Sequence, residues 1–249
     1  MAVIKSNYAV AEGIYLMEVA WQGEVKPGQF FMVRAWDRDP LLSRPISVCD
    51  YDAAAGTLTF LYMVKGQGTR LMSQLEPMDV ITLDGPHGNG FPEIKTNLVA
   101  VGGGIGIAPL LYAIKDFKAK HKRRKVRAYL GFSTESYYVE AFNEVADDVI
   151  VNIGGIITDV VEVKRGESVI ACGPNIMMQA LADRVPPKHD VYLSLEKRMA
   201  CGMGVCLGCS IATADGSRQV CSDGPVFTRE ALMWGGAKCA RVLKPSLRA

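Results

Sequence analysis

The chain has 249 residues, with 28 Lys and Arg against 26 Asp and Glu, a formal net charge of +2. So small a charge argues against capture of nucleic acid or of a membrane surface. An apolar content of 49% is enough for one large domain or two to three small ones with sizeable cores. The opening run MAVIKSNYAV lacks a charged flank followed by an apolar stretch, so no signal peptide is read there. With cysteines read as reduced, the cytoplasm is the expected compartment.

Residues 1 to about 95 read as short strands. Apolar and polar residues alternate from Thr57 through Val64, and turn signals recur at Lys26-Pro27-Gly28, Asp37 to Pro40 and Asp52 to Gly56. Many strands without intervening helices predict a small antiparallel barrel. Within it, Arg44-Pro45-Ile46-Ser47 opens a strand. Arg offers a two-pronged fork to phosphate and Ser adds a hydroxyl, while Pro fixes φ and removes a competing donor. About 20 residues on, Lys65-Gly66-Gln67-Gly68-Thr69 is a Gly-rich turn into a helix expected from about Thr69 to Leu75. Alone, R-P-x-S reads as an ordinary strand entry; the two motifs together, with the glycine turn that follows, read as a phosphate cradle. His87, inside Gly85-Pro86-His87-Gly88-Asn89-Gly90, reads as a loop residue rather than a catalyst.

From Asn97 the rhythm changes. Leu98-Val99-Ala100-Val101 is a buried strand, a Gly-rich turn follows, and Ala108 to Lys120 is helical. The apolar run from Leu98 to Ile114 therefore reads as strand, turn and helix rather than a membrane span. Further strands are expected at Val126 to Phe132, Val149 to Ile153, Ser168 to Cys172 and Val191 to Leu195, with helices at Ser136 to Val145 and Ile176 to Arg184. This alternation predicts a doubly wound α/β sheet. Gly102-Gly103-Gly104-Ile105-Gly106-Ile107-Ala108-Pro109 lies between strand and helix, where free N–H groups attract phosphate. Gly104 and Gly106 are its candidate binding residues, although the pattern is not the full dinucleotide fingerprint. Cys172, before Gly173-Pro174, ends a strand at the ligand-binding edge of such a sheet; a buried structural thiol is the alternative. The basic run Lys118 to Lys125 reads as a solvated helix end, and Asp147-Asp148 as a solvated turn.

Residues 196 to 249 form a Gly- and Cys-rich tail, too small to pack a core without a metal. Cys201, Cys206, Cys209 and Cys221 are spaced C-x4-C-x2-C-x11-C, with Gly202, Gly204 and Gly208 among them. The first three spacings match the plant-type [2Fe–2S] run, and glycine allows the tight backbone such a centre needs. A four-cysteine zinc site prefers two short hooks, and only Cys206 and Cys209 form one. Disulfides are the third possibility; Cys49, Cys172 and Cys239 are scattered and the total of seven is odd. Met199, Met203, Val205 and Leu207 sit among the four and suggest a surface covered by a partner, packing on the chain's own barrel being the competing view.

In this order, R-P-x-S, G-x-G-T, GGGIGIAP and CGP resemble the ferredoxin-reductase superfamily. The tail, from Leu195-Glu196-Lys197-Arg198-Met199 through Cys209 and Cys221-Ser222-Asp223-Gly224-Pro225, is similar to the family of electron-transfer subunits of NAD-dependent (class 1B) dihydroorotate dehydrogenases. The resemblance implies a β-barrel FAD domain (1–95), an α/β doubly wound nicotinamide-binding domain (96–195) and a C-terminal iron–sulfur lobe (196–249). It implies FAD held by Arg44, Pro45, Ile46 and Ser47, by Leu61, Tyr62 and Met63, and by Gly68 and Thr69 at the pyrophosphate. It implies a [2Fe–2S] cluster on the four cysteines and NAD as acceptor near Gly104, Gly106 and Cys172, with no residue singled out as catalytic. The implied partner is an FMN-bearing catalytic subunit that oxidises dihydroorotate in pyrimidine synthesis, two such pairs forming a heterotetramer; neither nucleic acid nor membrane is implied. Related flavin and iron–sulfur subunits of a hydrogenase, a glutamate synthase-like enzyme or a transhydrogenase are the alternative, and a zinc-binding interaction module a further one. The chain departs from the family's usual polar, Asp-Gly-rich stretch before the helix near Ile157: Val149 to Gly155 is short and apolar. Ser133-Thr134-Glu135 offers no Arg for a 2′-phosphate, which favours NAD over NADP.

Overall fold

The computed structural model describes residues 1–234. Cys239 and the end of the tail lie outside them.

The first half is a closed six-stranded antiparallel barrel. Its strands are β1 (Ala2–Ala11), β2 (Ile14–Ala20), β3 (Phe30–Arg34), β4 (Arg44–Asp52), β5 (Thr57–Met63) and, after helix α1 (Gln67–Met72), β6 (Val80–His87). They close in the order β1-β2-β5-β4-β3-β6. The two-residue period of a strand sends alternate side chains to opposite faces. Met17, Phe60, Tyr62 and Phe31 accordingly fill the barrel, while Leu16, Leu61 and Ile14 face outward into a second core beneath the next helix. Helix α1 starts two residues before the expected Thr69 and ends at Met72, which plugs the barrel. Its last turn is tied down by Asn7, whose Nδ2 donates to the carbonyls of Met72 and Leu75, both at 2.9 Å.

The second half follows the predicted alternation: β7 (Asn97–Gly103), α2 (Ala108–Lys120), β8 (Val126–Phe132), α3 (Val139–Val145), β9 (Asp148–Ile153), α4 (Ile157–Val160), β10 (Glu167–Cys172), α5 (Asn175–Arg184) and β11 (Val191–Ser194). These five strands run parallel, and the sheet is doubly wound. Phe117 of α2 and Phe142 of α3 pack on one face; Ile157 of α4 and Met178 and Leu181 of α5 pack on the other. Helix α3 starts three residues later than Ser136 because Tyr138 takes a left-handed φ of 59°, which a right-handed helix cannot contain. The apolar run from Leu98 divides between β7 and α2, and among the described residues no helix is long and apolar enough to cross a membrane.

The cysteine-bearing tail is more than an appendage. After the hairpin β12 (Ser210–Thr213) and β13 (Gly216–Gln219), strand β14 (Val226–Thr228) pairs antiparallel with β11. It completes a sheet of order β14-β11-β10-β7-β8-β9. Met199, Cys209, Val220, Cys221 and Phe227 share one core with Leu193 and Met178 of the sheet domain and with Phe30 and Met32 of the barrel. The tail does not form a core by itself: it shares its neighbours' apolar surface.

The acidic pair after α3 is also not a simple solvated turn. Asp147 accepts from Lys118 Nζ at 2.8 Å, Lys125 Nζ at 2.9 Å and the backbone N–H of Val126 at 2.8 Å, tying α2, β8 and the turn together. Lys122, Arg123 and Arg124 keep the solvated role expected of the basic run. Partial burial alone would raise the Asp147 carboxyl, but these hydrogen bonds outweigh it and hold the group down at about 2. A carboxylate lowered on folding stabilises the fold above its ordinary value near 3.9, and the contribution disappears as pH falls toward about 2. Asp147→Asn should therefore cost about 1 kcal/mol at neutral pH. In urea unfolding followed against pH, its curve should merge with the parent's at about pH 2; a gap independent of pH would contradict this account.

Candidate functional site

The predicted motifs meet around the ends of the barrel and the sheet. Arg44 begins β4, paired with Val33 of β3. Its guanidinium stands over the Trp36 ring at 5.3 Å and donates to the Leu42 carbonyl. Desolvation lowers its pKa. Gly68, in the first turn of α1, lies against the same group: a β-carbon there would sit 2.7 Å from both Arg44 Nε and Trp36 Cη2. Only glycine lets the helix start come this close. Pro45, Ile46 and Ser47 follow on β4, each partly accessible. The Ser47 hydroxyl has no hydrogen bond among the described residues.

Three of the predicted side chains do other work. The Thr69 hydroxyl accepts from the N–H groups of Lys65 and Gly66 at 2.9 and 3.2 Å and donates to the Gly66 carbonyl at 3.1 Å. It closes the turn, which leaves backbone N–H groups of the first helical turn as donors. Tyr62 is buried in the barrel with its hydroxyl donating to Asn7 Oδ1 at 3.0 Å, and burial raises its pKa. Leu61 faces the core beneath α2. Of the three β5 residues only Met63 presents its side chain to solvent; Leu61 and Tyr62 offer backbone alone.

At the sheet edge, the glycine turn and the Cys172-Gly173 turn touch. A β-carbon on Gly106 would lie 2.5 Å from the Cys172 carbonyl oxygen and 2.6 Å from Gly173 N. Gly104 has a φ of +55° and open space around it, with Tyr137 Oη as the nearest group at 3.9 Å. Cys172 itself is buried, its thiol pushed up by burial and then by Glu196, against a hydrogen bond with Ser194. Its side chain belongs to the packing under the crevice. Glu196 was not foreseen. It lies between this edge and the barrel, its carboxyl raised by desolvation and lowered by Lys65 from the turn before α1.

The four tail cysteines are brought together as two pairs. Cys209 Sγ and Cys221 Sγ are 3.3 Å apart in the buried half. Cys201 and Cys206 form the outer half, Cys206 N donating to Cys201 Sγ at 3.4 Å. The loop winds around them with Gly202 at φ 73°, Gly204 at φ 85° and even Leu207 at φ 57°. Its N–H groups point at sulfur: Gly204 to Cys221 at 3.0 Å, Gly208 to Cys206 and Cys221 to Cys209, both at 3.4 Å. The Cys206 and Met203 N–H groups push the Cys201 thiol down to about 6, while burial and the neighbouring Cys209 push Cys221 up to about 11. Among the described residues, no three His, Cys, Asp or Glu side chains converge on one point as ligands of a single ion. Two pairs suit a centre of two metal atoms, each taking two thiolates, better than a zinc tetrad.

The barrel grips this loop through the turn that follows β6. Asn89 donates from N to the Gly224 carbonyl at 2.7 Å and from Nδ2 to the carbonyls of Asp223 at 2.9 Å and Val226 at 3.0 Å. The Gly-Pro-His-Gly-Asn-Gly cluster carried a turn signal but nothing in it pointed to this docking. Met199 is buried on the chain itself, whereas Met203, Val205 and Leu207 are exposed by 57, 76 and 60% around exposed Cys206.

Residues 196–233 match the family model described as the iron–sulfur cluster binding domain of dihydroorotate dehydrogenase B. The chain is similar to the "dihydroorotate dehydrogenase B (NAD(+)), electron transfer subunit" of Clostridium acetobutylicum, at 40% identity over 92% of this chain and 95% of that one. It is also similar to that of Caldanaerobacter subterraneus subsp. tengcongensis, at 38% over 94 and 98%. Among solved structures, a chain of the NADH-dependent reduced ferredoxin-NADP oxidoreductase superposes with a TM-score of 0.85 at 27% identity, covering 94% of this chain and 90% of that one. A ferredoxin NADP+ reductase from Neisseria gonorrhoeae shares the fold, with a TM-score of 0.60 at 18% identity over 73 and 88%.

The close approach at the sheet edge makes a direct comparison possible. Gly106→Ala forces a β-carbon into the Cys172 carbonyl and should cost about 2 kcal/mol or more. Gly104→Ala has room and bears only the left-handed backbone, about 1 kcal/mol. Urea denaturation of the two variants should rank them in that order; equal costs would mean that the two turns are not in contact.

Proposed function

The chain belongs to the electron-transfer subunits of dihydroorotate dehydrogenase B (NAD(+)), and from this we propose that it relays electrons from a dihydroorotate-oxidising catalytic subunit to NAD+. We divide it into an FAD-binding barrel (1–95), an NAD-binding α/β domain (96–195) and a cluster lobe (196–249). When bound, FAD exchanges electrons singly with a [2Fe–2S] centre and as a pair with nicotinamide.

The chain's own residues hold, orient and insulate these groups. Arg44 presents its fork to a pyrophosphate oxygen, with Ser47 adding a hydroxyl and Pro45 and Ile46 fixing the strand. Backbone groups of Leu61 and Tyr62, with Met63, line the next strand. Gly68 admits the phosphate to free N–H groups, in a turn that Thr69 keeps closed. Gly104 and Gly106 leave room for the dinucleotide over the buried Cys172. Cys201 with Cys206 and Cys209 with Cys221 supply the thiolates. The observation that carries this reading is the paired sulfurs ringed by N–H donors on a loop that the barrel itself holds, through Asn89 and Met32. Such a loop keeps a one-electron centre at fixed distance from the flavin barrel.

Exposed Met203, Val205 and Leu207 form the face that meets the partner, an FMN-bearing catalytic subunit; two such pairs make a heterotetramer. Apolar side chains around an accessible ligand are the expected surface for electron exchange between proteins.

Cys206 is the ligand to remove first, because it is exposed and its loss leaves the core intact. Cys206→Ser should abolish cluster absorbance and reduction of NAD+ by dihydroorotate in the complex. Oxidation of NADH by an artificial two-electron acceptor should persist. Retention of full dihydroorotate-to-NAD+ turnover without the cluster would refute the relay. Val205→Glu should leave FAD and iron contents unchanged yet weaken association with the catalytic subunit about tenfold to a hundredfold, the equivalent of about 1.5–3 kcal/mol for one buried aliphatic side chain. Unchanged affinity in sedimentation or calorimetry would remove that face from the interface.

A further inference from the structure

His87 closes β6 on the side of the barrel that meets the cysteine loop. Its ring packs on Phe30 at 5.6 Å between centroids. Close against it lies Gly202, the residue after Cys201. A β-carbon on Gly202 would stand 3.3 Å from both Cδ2 and Nε2 of His87, and 2.7 Å from Met32 Cγ. Gly202 is therefore pressed into a notch formed by the barrel strands β3 and β6. The notch is locked next door by Gly88, where a β-carbon would meet Pro225 Cδ at 2.4 Å, and by the hydrogen bonds of Asn89 to residues 223, 224 and 226.

The His87 Nε2 atom is buried and has no hydrogen-bond partner among the described residues. Asp84 Oδ2 stands 3.3 Å away but out of line for a hydrogen bond. A buried ring nitrogen left unpaired is costly, and native proteins pair such atoms with protein, water or a bound group. Here the atom faces the first residue after a cysteine of the outer sulfur pair.

We propose that His87 is a positioning residue of the iron–sulfur centre: its ring seats Gly202, and so Cys201, against the barrel, and its Nε2–H, in the tautomer that carries the proton there, donates a hydrogen bond to sulfur of the centre. The inference deepens the function proposed above and rests on the cysteine assignment made there. Its physical consequence follows from charge. Reduction of the centre adds negative charge, and a hydrogen bond to sulfur stabilises the reduced form more than the oxidised one. His87 thus raises the reduction potential and sets how electrons divide between the lobe and the barrel.

The test is an EPR-monitored redox titration of the full chain, with iron and acid-labile sulfide measured alongside. His87→Phe keeps a flat ring but has no donor; His87→Gln keeps a donor. The Phe variant should retain iron and show a lower potential, shifting one-electron partition away from the centre about tenfold, or ~59 mV for a one-electron couple. The Gln variant should stay within about twofold of the parent. A Phe variant at the parent's potential overturns the proposal, as does a Gln variant that falls as far as the Phe variant. Should the Phe variant lose iron, His87→Leu is compared with Gln: iron kept by Gln and lost by both donor-free variants supports the donor, and loss from all three overturns it. Iron-replete parent protein with an indifferent Phe variant defeats only the role of His87. Parent protein without iron and sulfide defeats the cysteine assignment itself.

Discussion

The contact on which the rest depends is the grip of the barrel on the cysteine lobe. Asn89 makes four hydrogen bonds to the segment after Cys221, and the Gly88 turn fits against Pro225 so closely that no side chain is tolerated. Those bonds lie at the edge of a shared apolar core that includes Phe30, Met32, Cys209 and Cys221. A loop rich in left-handed residues has little backbone structure of its own to fix it. Burial against two neighbouring domains supplies what a small lobe lacks. Electron transfer between two bound groups falls steeply with separation, so a relay needs that distance set by packing rather than by a flexible tether.

The division of labour inside the barrel follows from the strand period. Along β5, Phe60 and Tyr62 point inward and Leu61 outward, so neither Leu61 nor Tyr62 can use its side chain on a ligand. What remains is the backbone, whose geometry the barrel fixes. The same economy appears at Thr69, where the hydroxyl shapes the turn and the amides are left to bind. Arg44 is the exception, a charged side chain braced against Trp36 and backbone carbonyls. Bracing reduces the rotamer freedom that a phosphate would otherwise have to freeze.

Much of the architecture was legible in the sequence because it is local. Period-two alternation and turn residues marked the barrel, and strand–glycine–helix punctuation marked the parallel sheet. Cysteine spacing and glycine content located the sulfur loop. What could not be read depends on contacts between distant segments. Nothing near Asp147 announces that Lys118 and Lys125 converge on it, and the late start of α3 turns on the left-handed Tyr138. Nothing near Val226 announces that it will join a sheet begun more than a hundred residues earlier. Met199 looked like its neighbours Met203 and Val205, yet it is buried on the chain and they are not. His87 and Asn89 carried only a turn signature, while the lobe residues they meet lie more than a hundred residues away.

Strand β14 has one more implication. The segment that follows the last iron-binding candidate also supplies the outermost strand of the sheet, hydrogen-bonded along β11. Any change that freed this segment would lay bare the amide row of β11. Exposed sheet margins invite pairing with other polypeptides. The anchoring of this segment by Asn89 and by the shared core therefore also guards the sheet against edge-to-edge association.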